Sequence, residues 1–359
     1  MDKSTNRRDF LNKSIKAGAL LLIPYDGLSM VSGKEEILSE TKIEKDFTIR
    51  RTPLTTEDYL AYPKRFSNWG RWGNDDQFGT LNFIDASKRR EAFQLVKNGT
   101  AISCSRPINT KDTPDNIRPS SFNVAMGENG SKWTEGNITI AIDFLDVQSH
   151  GFVETHIDAL NHVHTNDRRM YNGRPVSDVK PTGVESDSID IWKDGIISRG
   201  VFYDIPKLRG KRSITPDQPV QGWELEDYAS KYNTTPKTGD IVIIDCGRDK
   251  YYIDYPEASR KQGVKPGLDP SVLEFFYKYD AAVLGCDFDE APLNKTYNTY
   301  VPLHAIANPY IGLPTLWNLD LNRLREKCIE LGRNEFLFVI TPLVIPGGTA
   351  SLVNPLAVF

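Results

Sequence analysis

Residues 61–359 predict a single α/β domain, a mixed β-sheet with flanking helices. Apolar, β-branched runs recur at 138–147, 200–205, 240–245, 281–284 and 336–340, the composition of buried strands. Helical segments at 223–231, 270–279 and 319–331 lie between some of them, and no internal repeat or low-complexity tract divides the stretch. With 39% apolar residues, 16 Phe, 15 Tyr and 6 Trp, the chain can fill a sizeable core, which excludes the disordered class.

From the start of the chain, residues 1–33 read as an export signal and are set apart from the fold. Asn6-Arg7-Arg8-Asp9-Phe10-Leu11-Asn12 resembles a twin-arginine motif, and a short apolar stretch from Ile15 to Ile23 ends at Pro24. That stretch is far below the roughly 20 residues a membrane-spanning helix needs, so no stable membrane anchor is expected and the mature protein is expected in the periplasm. Residues 34–60, polar and without an apolar period, read as a linker.

The catalytic domain is expected over 61–359. Its first landmark, Asn68-Trp69-Gly70-Arg71-Trp72-Gly73 through Gly79-Thr80-Leu81-Asn82, is dense in Gly, Asn and Asp and reads as a structured loop. Trp69 and Trp72 need burial or a ligand there; they are candidates for an apolar substrate wall, and equally for packing the loop on the sheet. A helix follows, capped within Asp85-Ala86-Ser87, with Ala92, Phe93, Leu95 and Val96 as its apolar stripe.

A net charge of −4 without a long basic run argues against nucleic acid as the main partner and favours a small-molecule substrate. Cys104, Cys246, Cys286 and Cys328 form no CxxC pair, which removes zinc-ribbon and thioredoxin-type readings. No Gly-x-Ser-x-Gly elbow is present either.

Histidine is used sparingly and unevenly. Of five in the chain, His150, His156, His162 and His164 fall in Ser149-His150-Gly151-Phe152-Val153-Glu154-Thr155-His156-Ile157-Asp158-Ala159-Leu160-Asn161-His162-Val163-His164; the fifth is His304. His150, Glu154, His156, Asp158, His162 and His164 occupy even positions, one face of an extended chain, while Val153, Ile157 and Val163 turn to the core. A straight strand of this length would reach about 50 Å, so Gly151 and 159–161 are expected to bend it. His156 and Asp158, about 7 Å apart along a strand, are the tightest pair able to meet at one ion. Imidazole and carboxylate ligands with open positions describe a catalytic metal site, in which an unligated imidazole moves protons. His162 is the candidate for that shuttle.

The run Thr155-His156-Ile157-Asp158-Ala159-Leu160-Asn161-His162 resembles the signature of the cyclase family of metal-dependent hydrolases, which includes kynurenine formamidase and isatin hydrolase. The resemblance covers most of 65–359. Asn68–Gly73 with Asp76 and Gly79–Asn82, Tyr171-Asn172-Gly173, Arg199-Gly200-Val201, Gly239-Asp240, and Gly347-Gly348-Thr349 with Asn354-Pro355-Leu356-Ala357-Val358 are similar to landmarks of its larger bacterial members. The resemblance implies a swivelling β/β/α-like domain, usually a homo-oligomer (dimer or tetramer), that hydrolyses an amide, formamide or cyclic amide with zinc- or manganese-bound water. It implies His156 and Asp158 as metal ligands, His162 as proton shuttle, and Thr155 as a residue orienting a ligand.

Small members carry a ligand His where this chain has Phe152, a place that His150 can take, or else Glu154. Two-metal members carry a Glu about twelve residues after the later His, where this chain has Thr315 and Trp317, so one divalent ion, Zn or Mn, is expected, with His164 and His304 as additional candidates. A lactonase, dehydratase or lyase using the same ion, and a non-catalytic exported binding protein of the same fold, remain open alternatives.

Overall fold

The computed structural model describes residues 47–113, 116, 118–127, 140–151, 153–258, 265–290, 297 and 299–359. The expected export segment and Phe152 lie outside the described residues. The strands are β1 (Ala101–Ser103), β2 (Ser121–Met126), β3 (Ala141–Asp146), β4 (His156–Asp158), β5 (Val179–Lys180), β6 (Gly183–Val184), β7 (Ile196–Asp204), β8 (Ile241–Asp245), β9 (Gly267–Leu268), β10 (Val283–Cys286), β11 (Asp289–Glu290), β12 (Thr315–Trp317), β13 (Glu335–Ile340), β14 (Ala350–Leu352) and β15 (Leu356–Val358). Nine of them form one sheet in the order β1-β15-β13-β7-β8-β10-β12-β4-β14.

The sheet is mixed, as expected. Its centre, β7-β8-β10-β12, is parallel, and antiparallel pairs extend it on both sides. Side chains alternate faces along each strand, and both faces are covered, so the central strands read as continuous apolar runs. Val201, Tyr203, Val242, Ile244 and Leu284 enter one core; Phe202, Ile241, Ile243, Val283, Leu316 and Ile157 enter the other. The helices Gly222–Tyr232, Val272–Lys278 and Asn322–Leu331 lie where the apolar periods put them.

Three expectations are corrected. Residues 47–60 belong to the fold and not to a linker: Ile49 and Leu54 are buried, and the helix Thr56–Phe66, capped by Thr55, buries Tyr59, Tyr62 and Phe66. Described residues of 138–147 form β3, which among the described residues pairs with β2 alone, in a two-stranded ribbon apart from the large sheet, and its Asp143 and Asp146 break the apolar run. The helix Ala86–Phe93 is capped by Asp85, but Phe93 is exposed; beside Ala92 it is Lys88 that is drawn inward, to the buried Asp240.

Candidate metal centre

Three residues of β4 organise the site. The strand is interior to the sheet, with Asp158 opposite Thr315 and Ala350 and His156 opposite Trp317 and Leu352. Ile157 points into the core and is fully buried, leaving His156 and Asp158 on the other face. The cross-strand partners of β12 then act on Asp158: the Thr315 hydroxyl donates to Oδ2 at 3.1 Å and the Trp317 indole N–H at 3.0 Å.

Asp158 is a hub. His150 Nδ1 lies 2.8 Å and His156 Nε2 3.6 Å from Oδ1, while His304 Nε2 lies 3.4 Å from Oδ2. The His162 ring stacks on His150 at 3.7 Å between centroids and meets His304 edge-on at 6.0 Å. Chain bends at both ends of β4 thus fold His150 and His162 back onto the carboxylate that His156 also faces. Burial alone would raise the Asp158 pKa, but the surrounding imidazoles hold it well below the usual carboxylate range. Burial pulls the His162 imidazole down to about 3, so it is neutral around pH 7.

The donors fit a cation. Ligand atoms of His150, Asp158 and His162 lie within 4.8 Å of one another. His156 Nδ1 donates to the Glu154 carbonyl at 2.9 Å, which leaves the Nε2 lone pair turned toward Asp158, the arrangement a ligating imidazole requires. His150 Nε2 is held by the Thr349 hydroxyl at 2.8 Å, leaving Nδ1 toward the same carboxylate. Oδ2 is occupied by the Thr315 and Trp317 donors, whereas Oδ1 faces only the ring nitrogens of His150 and His156, the groups that would share an ion with it.

The other candidates stand apart from that cluster. The Glu154 carboxylate receives Ser120 Oγ at 3.1 Å, and only its backbone carbonyl serves the site. Thr155 orients no ligand directly; its hydroxyl donates to the Asn318 carbonyl at 2.7 Å and accepts from Arg106 N at 2.9 Å. His164 Nε2 meets the Asn161 carbonyl at 3.2 Å. Trp69 stacks on Tyr310 and donates to the Pro309 carbonyl at 2.5 Å, and Trp72 packs edge-on against Phe83, so both have packing roles.

Several partners were not legible beforehand. Thr315 and Trp317 stand where a ligand was expected to be missing, and they instead secure Asp158. Asn318 braces the histidine loop, its amide donating to the Gly151 and Glu154 carbonyls at 3.1 Å each. Glu290 meets His304 Nδ1 from the other side of the ring. Its position just past the carboxyl end of the parallel strand β10, where α/β sheets gather functional groups, is the signal that could have found it.

A family model for cyclases matches residues 88–289. Among solved structures, one described as a novel cyclase superposes with a TM-score of 0.72 at 25% identity, covering 82% of this chain and 100% of its own. An isatin hydrolase bound to the product analogue thioisatinate gives a TM-score of 0.50 at 16% identity, covering 76% and 98%. Isatin hydrolase A from Labrenzia aggregata, bound to benzyl benzoate, gives 0.51 at 17%, covering 72% and 93%. No curated protein sequence matches the chain. With a family model matched over more than half its length, this chain belongs to the cyclase family.

Proposed function

We propose that the protein is a metal-dependent hydrolase that opens the C–N bond of a small amide, formamide or cyclic amide. The observation carrying this reading is the convergence of four imidazoles on the single buried carboxylate of Asp158. His150, His156 and Asp158 would hold one divalent ion, Zn or Mn, since mixed nitrogen and oxygen donors suit both, and His162, whose donor atom also lies within 4.8 Å of those of His150 and Asp158, would stand beside the ion unligated. When bound, such an ion acidifies water toward neutral pH and polarises a carbonyl.

The chain's own residues do the rest. Thr315 and Trp317 fix the Asp158 carboxylate, and Glu154 O and Thr349 Oγ1 fix the rings of His156 and His150. His162, neutral and with no side-chain hydrogen bond among the described residues, accepts the proton of the attacking water and returns it to the departing nitrogen. Water thereby adds to the carbonyl carbon, the C–N bond breaks, and acid and amine leave. The twin-arginine motif supports export to the periplasm, and the exposed β2–β3 ribbon, too small to be stable alone, supports self-association.

Metal analysis with turnover assays tests the proposal. The purified protein should hold about one Zn or Mn per chain, and His156→Ala should release it. His162→Ala should retain the ion while kcat falls by roughly 10²–10⁴-fold, the usual worth of a general acid–base. Stoichiometric metal without turnover of any formamide, imide or lactone would leave a binding protein instead.

A further inference from the structure

His304 presents two nitrogens to two carboxylates: Nε2 lies 3.4 Å from Asp158 Oδ2, and Nδ1 meets Glu290 Oε1. Its backbone is anchored but its ring is not fixed by that alone. The helix His304–Ile306 is a single turn, running into Ala307–Ile311, whose carbonyls at Pro309, Tyr310 and Ile311 are gripped by Trp69 Nε1, Asn68 N and Asn68 Nδ2. None of these bonds reaches the imidazole.

Glu290 does. One carboxylate oxygen takes the ring nitrogen, and the other takes the backbone N–H of Leu303, one residue before the ring, at 2.6 Å. The carboxylate therefore grips side chain and backbone together. Its own place is set by the β9–β11 pairing, where Glu290 stands opposite Leu268 and the chains approach so closely that a Cβ at Gly267 would lie 2.4 Å from the Glu290 carbonyl carbon. Glu290 is 8% exposed and His304 4%, so little water competes for either group. On its far side the ring is bounded by Trp317 at 5.0 Å and His162 at 6.0 Å.

We propose that Glu290 is a positioning residue: it turns His304 so that Nε2 faces Asp158, and through that ring it sets the affinity of the site for its ion. This rests on the metal centre put forward above. A carboxylate behind a metal-ligating imidazole fixes the ring's direction, and losing it typically costs 10–100-fold in metal affinity; His304, 3.4 Å from Asp158 Oδ2, would pass the effect on through that ligand carboxylate.

The test is calorimetric titration of zinc into the metal-free chain, for the parent, Glu290→Ala, Glu290→Gln, His304→Ala and the Glu290→Ala/His304→Ala double variant. The parent should bind about one ion. Glu290→Ala should bind it roughly 10–100-fold more weakly at unchanged stoichiometry, and Glu290→Gln, whose amide oxygen still accepts a ring N–H, should recover most of that loss. With His304 already removed, losing Glu290 should change affinity by less than about twofold, because it would act through that ring alone. Should Glu290→Ala not fold, Glu290→Asp, which withdraws the carboxylate by one methylene, takes its place in the cycle with the same expectation. Parent-like affinity in the Glu290 variant, or an equal penalty with and without His304, overturns the proposal. So does a second ion in the parent that Glu290→Ala removes, since Asp289, Glu290 and Nδ1 would then hold a cation themselves. A parent that binds no ion overturns the metal centre itself, a distinct result.

Discussion

Asp158 shows how one buried charge is made tolerable: Oδ1 faces the His150 and His156 imidazoles, and Oδ2 takes the Thr315 and Trp317 donors beside His304. Thr315→Val and Trp317→Phe each delete a donor to Oδ2 and should cost about 1–3 kcal/mol of stability, measured by denaturant unfolding of the metal-free chain. Zinc affinity should fall about tenfold in the same variants. A second buried acid behaves differently. Asp187 has a left-handed backbone (φ 56°), is 1% exposed, has one oxygen paired with Arg174 at 3.0 Å, and the other lacks a partner among the described residues. Burial pushes its pKa up to about 7. A carboxyl raised in the folded state favours the fold most below its unfolded pKa and loses that contribution as pH climbs through the folded value. Relative to the parent, Asp187→Asn should therefore gain on the order of 2 kcal/mol between about pH 4 and pH 8; parallel stability curves would refute this. At this scale the clustered histidines were legible because rarity and even spacing mark them. Glu290, Thr349 and Trp317 were not, because each joins the site across a distance in sequence that no spacing rule spans.

At the level of elements, the apolar runs named the central strands and the amphipathic periods named the longer helices, since burial on both faces or one leaves a direct imprint on composition. Pairing left no such imprint. The β2–β3 ribbon reads like a sheet strand until its neighbour is known, and the three-residue β4 is too short to announce itself. Contacts between loops are equally silent: Gly79, with φ 55°, lies so close to Gly312 that an added Cβ would sit 2.1 Å from the Gly312 carbonyl oxygen. That oxygen also accepts Thr80 N at 2.8 Å, tying the tryptophan loop to the segment after His304. Gly79→Ala should lower stability by roughly 1–3 kcal/mol from backbone strain alone, seen as a lowered thermal midpoint. An unchanged midpoint would mean the two segments part easily.

For the whole molecule, the sequence reading of one α/β domain holds, with its start moved forward because Tyr59, Tyr62 and Phe66 pack into the core. An ion that binds only the folded chain must stabilise it. At a free concentration of about 100 times Kd the gain should be about 2.7 kcal/mol, visible as a higher thermal midpoint that chelator reverses. The interior place of β4 has a further consequence for how the protein comes into being. Its neighbours β12 and β14 lie more than 150 residues downstream, and a slip of one residue against either would turn His156 and Asp158 to the opposite face. The face that carries His156 and Asp158 is therefore locked in register only once Leu352 has joined the sheet. Two local residues thus owe their orientation to strands made long after them, which ties the geometry of the histidine cluster to completion of the sheet.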